Sequence, residues 1–154
     1  MKNDEQRDYL LKILGDEDAV DAMQSLGAIS QAWDDAIDEG AAFGVDQALL
    51  HAMIHLPRNP FWQRYSAELQ PLVETAILDW RASCGIERAM RRSKQPTQRE
   101  TALAYVLRDQ LAGVVVFSAR ILRGWEYAES VAEDVRRFLH SDESPETYEQ
   151  EVLS

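Results

Sequence analysis

Apolar residues recur every third or fourth position along nearly the whole chain, and no stretch alternates apolar with polar residues between hairpin turns. This spacing predicts an all-α fold. The stripe Ala22, Leu26, Ile29, Trp33 and Ala36 is the clearest case: one buried face of a helix over about 17–39, closed by Gly40 and Gly44. With 154 residues, 45% of them hydrophobic, there is material for one core. The expectation is a single-domain bundle of six to seven helices over 1–140, followed by an acidic tail at 141–154 that is mobile or forms a short appended helix at 145–152.

Capping chemistry sets most of the helix boundaries. A first helix over 4–14 groups Tyr9, Leu10, Ile13 and Leu14, stops at Gly15, and serves as a docking arm. Asp46 is placed to cap a third helix over 47–55, with Val45 and Leu50 as a hydrophobic staple, and Pro57 to end it. Asn59 and Pro60 are a cap and first-turn proline for a fourth helix. Pro71 predicts a kink or restart inside it, Gly85 an end, and 86–92 a separate short helix before a polar loop at 93–96. Thr97 and Glu100 form a capping box for the longest run, 98–123, whose second half is apolar nearly all round and which is placed at the centre of the bundle. Gly124 breaks it, and a last amphipathic helix follows over 125–139.

Charge narrows the function classes. The chain has 27 acidic and 16 basic residues, a net of −11, which repels nucleic-acid phosphate and anionic lipid. Direct generic nucleic-acid binding is therefore not expected. Residues 1–77 hold 14 acids and 5 bases, net −9, against 13 and 11, net −2, in 78–154. The lone Cys84 has no internal disulfide partner, and the charged opening residues do not read as a signal peptide. The apolar segment between Asp109 and Arg120 is shorter than the roughly 18 residues of a membrane span. A cytoplasmic protein without a membrane segment is the expectation.

Two constellations stand out. Asp34, Asp35, Asp38 and Glu39 crowd the C-terminal end of a helix, where the macrodipole is already negative, and two pairs are like-charge neighbours four apart. Such a cluster calls for a compensating cation, from a partner, the same chain or a metal, unless it is a solvated helix end. His51 and His55, also four apart, share a helix face, and a hairpin pivoting near residue 43 would set Asp35 opposite His51. A basic run, Arg88, Arg91, Arg92, Lys94 and Arg99, lies near a helix C-terminus, and its expected partner is the chain's own acidic half. Arg108 is expected to pair with Glu87 or Asp79 inside the bundle. Trp33, Trp62, Trp80 and Trp125 sit at stripe positions and are expected to anchor the core.

Two functional expectations follow. The first is a non-enzymatic regulator, inhibitor or immunity-type protein without a cofactor, presenting Asp34, Asp35, Asp38 and Glu39 to a protein with a basic surface, in one form as a nucleic-acid mimic. The alternative is a hydrolase of phosphate esters or anhydrides using Mg²⁺, Mn²⁺ or Zn²⁺ held by Asp34, Asp35, Asp38, His51 and His55. A homodimer through the stripe from Tyr9 to Leu14 is left open.

Overall fold

A computed structural model describes residues 3–38, 40, 42 and 44–154. Among these the chain is an all-α bundle of eight helices with no strand: α1 (Asn3–Leu14), α2 (Glu17–Asp38), α3, α4 (Pro60–Ser93), α5 (Gln98–Arg108), α6 (Leu111–Arg123), α7 (Trp125–Leu139) and α8 (Pro145–Leu153). Helix α3 opens as Val45–Leu50, loosens into a π-helical turn at His51–His55 and closes as Leu56–Arg58. No single helix among the described residues is long and apolar enough to cross a membrane.

Several starts and stops follow the expected chemistry. Gly15 takes a left-handed φ of 65° after α1, and the Asp16 carboxylate accepts from the Ala19 N–H to open α2. Asn59 accepts from the Trp62 N–H at 2.9 Å, while its amide donates to the Asp18 carbonyl, so one cap also fixes α4 against α2. The Thr97–Glu100 capping box is formed in both directions.

Other boundaries differ, each for a visible reason. The run 98–123 is two helices bent by 47° at Asp109 and Gln110. The Gln110 side-chain amide donates to the Val106 carbonyl at 2.6 Å, the acceptor that a continuing helix would give to a backbone N–H. Helix α4, by contrast, is unbroken over 34 residues despite Pro71 and Gly85. Pro71 and the Ala67 carbonyl it leaves without a backbone donor lie on the exposed face, where water can replace the lost bond. Beyond Gly85 the buried Glu87 and Met90 carry the helix on to Lys94, which ends it at a φ of 53°. Asp46 is not the cap of α3: Gly44, at φ 88°, holds that position, and Asp46 sits in the first turn.

The main core joins α1, α2, the start of α4, α6 and α7 through Leu10, Leu14, Val20, Leu26, Leu69, Val114 and Val135. Leu10, Ile13 and Leu14 of the first helix are buried there, so that stripe is covered by the chain itself. A second, smaller core packs Met90 of α4 and Ala104 of α5 against Tyr148 and Val152 of α8. Residues 145–153 are thus a docked helix. Two tryptophans depart from the expected core: Trp125 is 67% exposed and Trp33 38%.

Candidate functional site

The acidic end of α2 meets its cation inside the bundle. Arg108, in the last turn of α5, places Nη2 3.0 Å from Asp34 Oδ2 and 3.7 Å from Asp38 Oδ2, and Nη1 3.6 Å from Glu87 Oε1. The Trp80 indole N–H donates to the other oxygen of Asp34 at 2.8 Å. Tyr148 of α8 donates to Glu87 at 2.6 Å and lies under the Arg108 guanidinium, and Arg91 approaches Glu87 at 3.6 Å. One arginine therefore ties α2, α4 and α8 to the end of α5. The expected Arg108–Glu87 pair is present, with Asp34 and Asp38 rather than Asp79 as its companions.

The electrostatics follow from that crowding. Burial works against the Arg108 charge, but Asp34 and Glu87 outweigh it and hold the guanidinium protonated beyond its ordinary range. Burial pushes the Asp38 carboxyl up, and repulsion from Asp34 and Glu87 adds to it, against the pull of Arg108 and Arg91. Burial likewise raises the Cys84 thiol, helped by Glu87, Asp38 and Asp34, which keeps it protonated and a poor nucleophile.

The remaining residues of the expected site are elsewhere. Asp35 accepts from Gln31 at 2.8 Å along α2. Glu39 lies outside the described residues. His51 Nδ1 is 2.9 Å from the Ser25 hydroxyl, and its ring meets His55 edge-on at 5.2 Å. The α2–α3 hairpin is thus not in the expected register, which would have set His51 opposite Asp35. Gly44 packs over Ala32, where an added Cβ would lie 3.8 Å from the alanine methyl. Gly44 over Ala32 and His51 over Ser25 both centre the hairpin on position 38. Among the described residues, no group of three His, Cys, Asp or Glu side chains is arranged to hold a metal ion. In the basic run, Arg91 is engaged with Glu87 and with the Val152 carbonyl of α8 at 3.1 Å.

Beside the Arg108 network lies a half-open cavity of about 440 Å³, bounded by α2, the middle of α4, the α5–α6 break and the segment after α7. Leu26, Ile29, Val73, Ile77 and Leu111 form its apolar wall, and Asp34, Arg108, Asp109, His140 and Glu143 its polar end. Burial pushes the Asp109 carboxyl up, against the pull of His140 and Arg136. Burial and a hydrogen bond shared with Glu151 raise Glu143. The sequence signal for this cavity is the polar triplet Arg108, Asp109 and Gln110, set between Leu107 and Leu111 in an otherwise apolar run.

No known family model, curated protein or solved structure matches this chain. The functional reading rests on its own residues. These offer two surfaces that the fold does not use: the outer face of the α2–α3 hairpin and the cavity.

Proposed function

We propose that the chain is a protein-binding module, with the α2–α3 hairpin as its docking face and a partner whose surface is basic around an apolar centre. The observation that carries this is the outer face of α3. Of its residues only Leu56 is buried, while Leu49, Leu50, Met53 and Ile54 are exposed, Met53 by 71%. Ile37, at the end of α2, is exposed as well, at 57%. A contiguous apolar patch on a helix that contributes little to the core marks an interaction surface, and a methionine at its centre adapts to a partner's shape.

Charge selects the partner. Between Lys12 and Arg58 the sequence carries nine carboxylates and no lysine or arginine. Two copies meeting through this face would bring like charges together, whereas a basic surface gains faster encounter and correct register. Asp35 and Asp46 border the hairpin, together with Glu39 in sequence, while Asp34 is committed to Arg108 and Trp80 and Asp38 faces the same Arg108. A metal-dependent hydrolase draws no support from the separated aspartates and histidines.

The test is low-salt capture of a partner by the wild-type chain, followed by titration of that purified partner against Leu49→Ser/Met53→Ser and Asp35→Lys/Asp46→Lys. Each double variant should weaken binding about tenfold or more, with unchanged helicity, and added salt should weaken the wild-type complex. Equal affinity for wild type and Leu49→Ser/Met53→Ser overturns the proposal. So does a wild-type dimer in sedimentation that this variant dissociates, since the face would then bind a second copy.

A further inference from the structure

We propose that the cavity beside Arg108 is a binding site for a small organic cation, a protonated amine carried on an apolar body. Its size and two-sided lining are those of a small-molecule site: a mainly apolar wall and a few polar groups converging at one end. The charges at that end choose the sign of the ligand. Asp34, Asp109, Asp142 and Glu143 line it, against one guanidinium, Arg108, and one imidazole, His140.

The one guanidinium of the lining is already committed. Arg108 is shared among Asp34, Asp38 and Glu87, so an anionic ligand would have to compete with three carboxylates of the chain itself. The start of α6 opens on the same space, and its unpaired N–H groups would favour an anion, but Asp109 already supplies a negative charge at that terminus.

Asp109 lies within the charge of His140 and Arg136 but has hydrogen-bonding capacity left. Its carboxylate accepts no hydrogen bond from a described residue; Arg136 donates instead to the Asp109 carbonyl at 3.5 Å and to the Gln110 side chain at 3.4 Å. The break between α5 and α6 explains why. Turning the chain by 47° carries Asp109 out of helical conformation, to φ −122° and ψ 76°, and sets it on the cavity wall instead of along a helix face. An ammonium group there would gain charge-assisted hydrogen bonds, while its apolar body lies along Leu26, Ile29, Val73 and Ile77.

The test uses 4-phenylbutylamine as probe and 4-phenylbutyrate as its charge-reversed control, with the folded full chain at low salt. Amide and indole proton NMR reads the Trp80 indole N–H, which touches Asp34, and the amides of Asp109 to Leu111. The amine should shift these signals saturably and the carboxylate should not. Asp109→Asn should weaken the amine about tenfold or more and leave the α3 amides unchanged. If that variant fails to fold, Glu143→Gln at the same rim should weaken it in the same direction. Equal binding of amine and carboxylate, no saturable shift with either, or full amine affinity in the folded rim variant overturns the proposal. The α3 amides, which report on the docking face, serve only as a control, so none of the overturning outcomes bears on that face.

Discussion

Arg108 in α5 donates to the Asp34 carboxylate of α2 across 3.0 Å, joining two positions 74 residues apart in the chain. The same guanidinium faces Asp38 and Glu87, and Glu87 is only 3% exposed. Like-charged carboxylates would repel one another at this junction of helices without the arginine. Its cost is local: Arg108, Asp109 and Gln110 interrupt the apolar stripe, and the helix turns there.

Removing that arginine should therefore be more damaging than an ordinary surface change. Arg108→Met leaves Glu87 buried with only the more exposed Arg91, at the same 3.6 Å, for charge compensation, and urea unfolding should show a loss of about 3 kcal/mol. Adding Glu87→Gln should recover part of it, because the glutamine still accepts from Tyr148 without a buried charge. No recovery in the double variant would mean that stacking of the Arg108 guanidinium on Tyr148, not its charge toward Glu87, supplies the stability.

Stability should rise on mild acidification. Asp38, Asp109 and Glu143 all have carboxyls raised in the folded state, first by burial. Each binds its proton more readily folded than unfolded, so their contribution is lost as pH rises through the folded values and is regained as pH falls toward the ordinary carboxylate range of about 4. Glu100 runs the opposite way, lowered by its hydrogen bonds to Thr97, and its contribution disappears below that range. Urea midpoints should thus rise on the acid side of neutrality and fall again below it. Asp109→Asn should flatten the rise, and a curve as steep as that of the wild type would assign it to other groups.

What the sequence disclosed, and what it hid, divides along the range of the forces involved. Asn59, Thr97 and Gly15 act on backbone groups within four residues, and their roles are readable from spacing alone. The Arg108–Glu87 pair was also legible, since an arginine and a glutamate inside apolar runs must find each other. The bend at Asp109 was not, because it depends on Gln110 turning back to Val106 and on Asp34 waiting across the bundle. Hairpin register was hidden for a similar reason: nothing in the local pattern sets Gly44 over Ala32 and His51 over Ser25. Asp34 shows the same limit, an apparent surface acid that proves to be held by Trp80 and Arg108.

The docking of α8 makes Tyr148 a structural residue. It is fully buried, sealing Met90 and Ala104 and donating to Glu87. Tyr148→Phe keeps the ring and removes the donor, for an expected loss of about 1–2 kcal/mol. Tyr148→Ala also opens a cavity and should cost about 3–5 kcal/mol. Chemical denaturation of the two variants separates the terms, and equal losses would mean that the hydroxyl carries the whole effect.

Two glycines should respond to alanine with opposite signs. Gly85 lies in the continuous helix α4, where an added methyl meets only the end of the Arg88 side chain at 3.8 Å, an ordinary contact. Gly85→Ala should stabilise by about 0.5–1 kcal/mol, because alanine has less backbone freedom to lose on folding. Gly124 joins α6 to α7 at φ 91° and ψ 174°, a conformation that residues with a Cβ rarely adopt. Gly124→Ala has open space around it yet should destabilise by about 1–3 kcal/mol through backbone strain alone. Thermal melts of the pair test whether α4 passes through residue 85 as one helix; a lower melting temperature for Gly85→Ala would point to a break there.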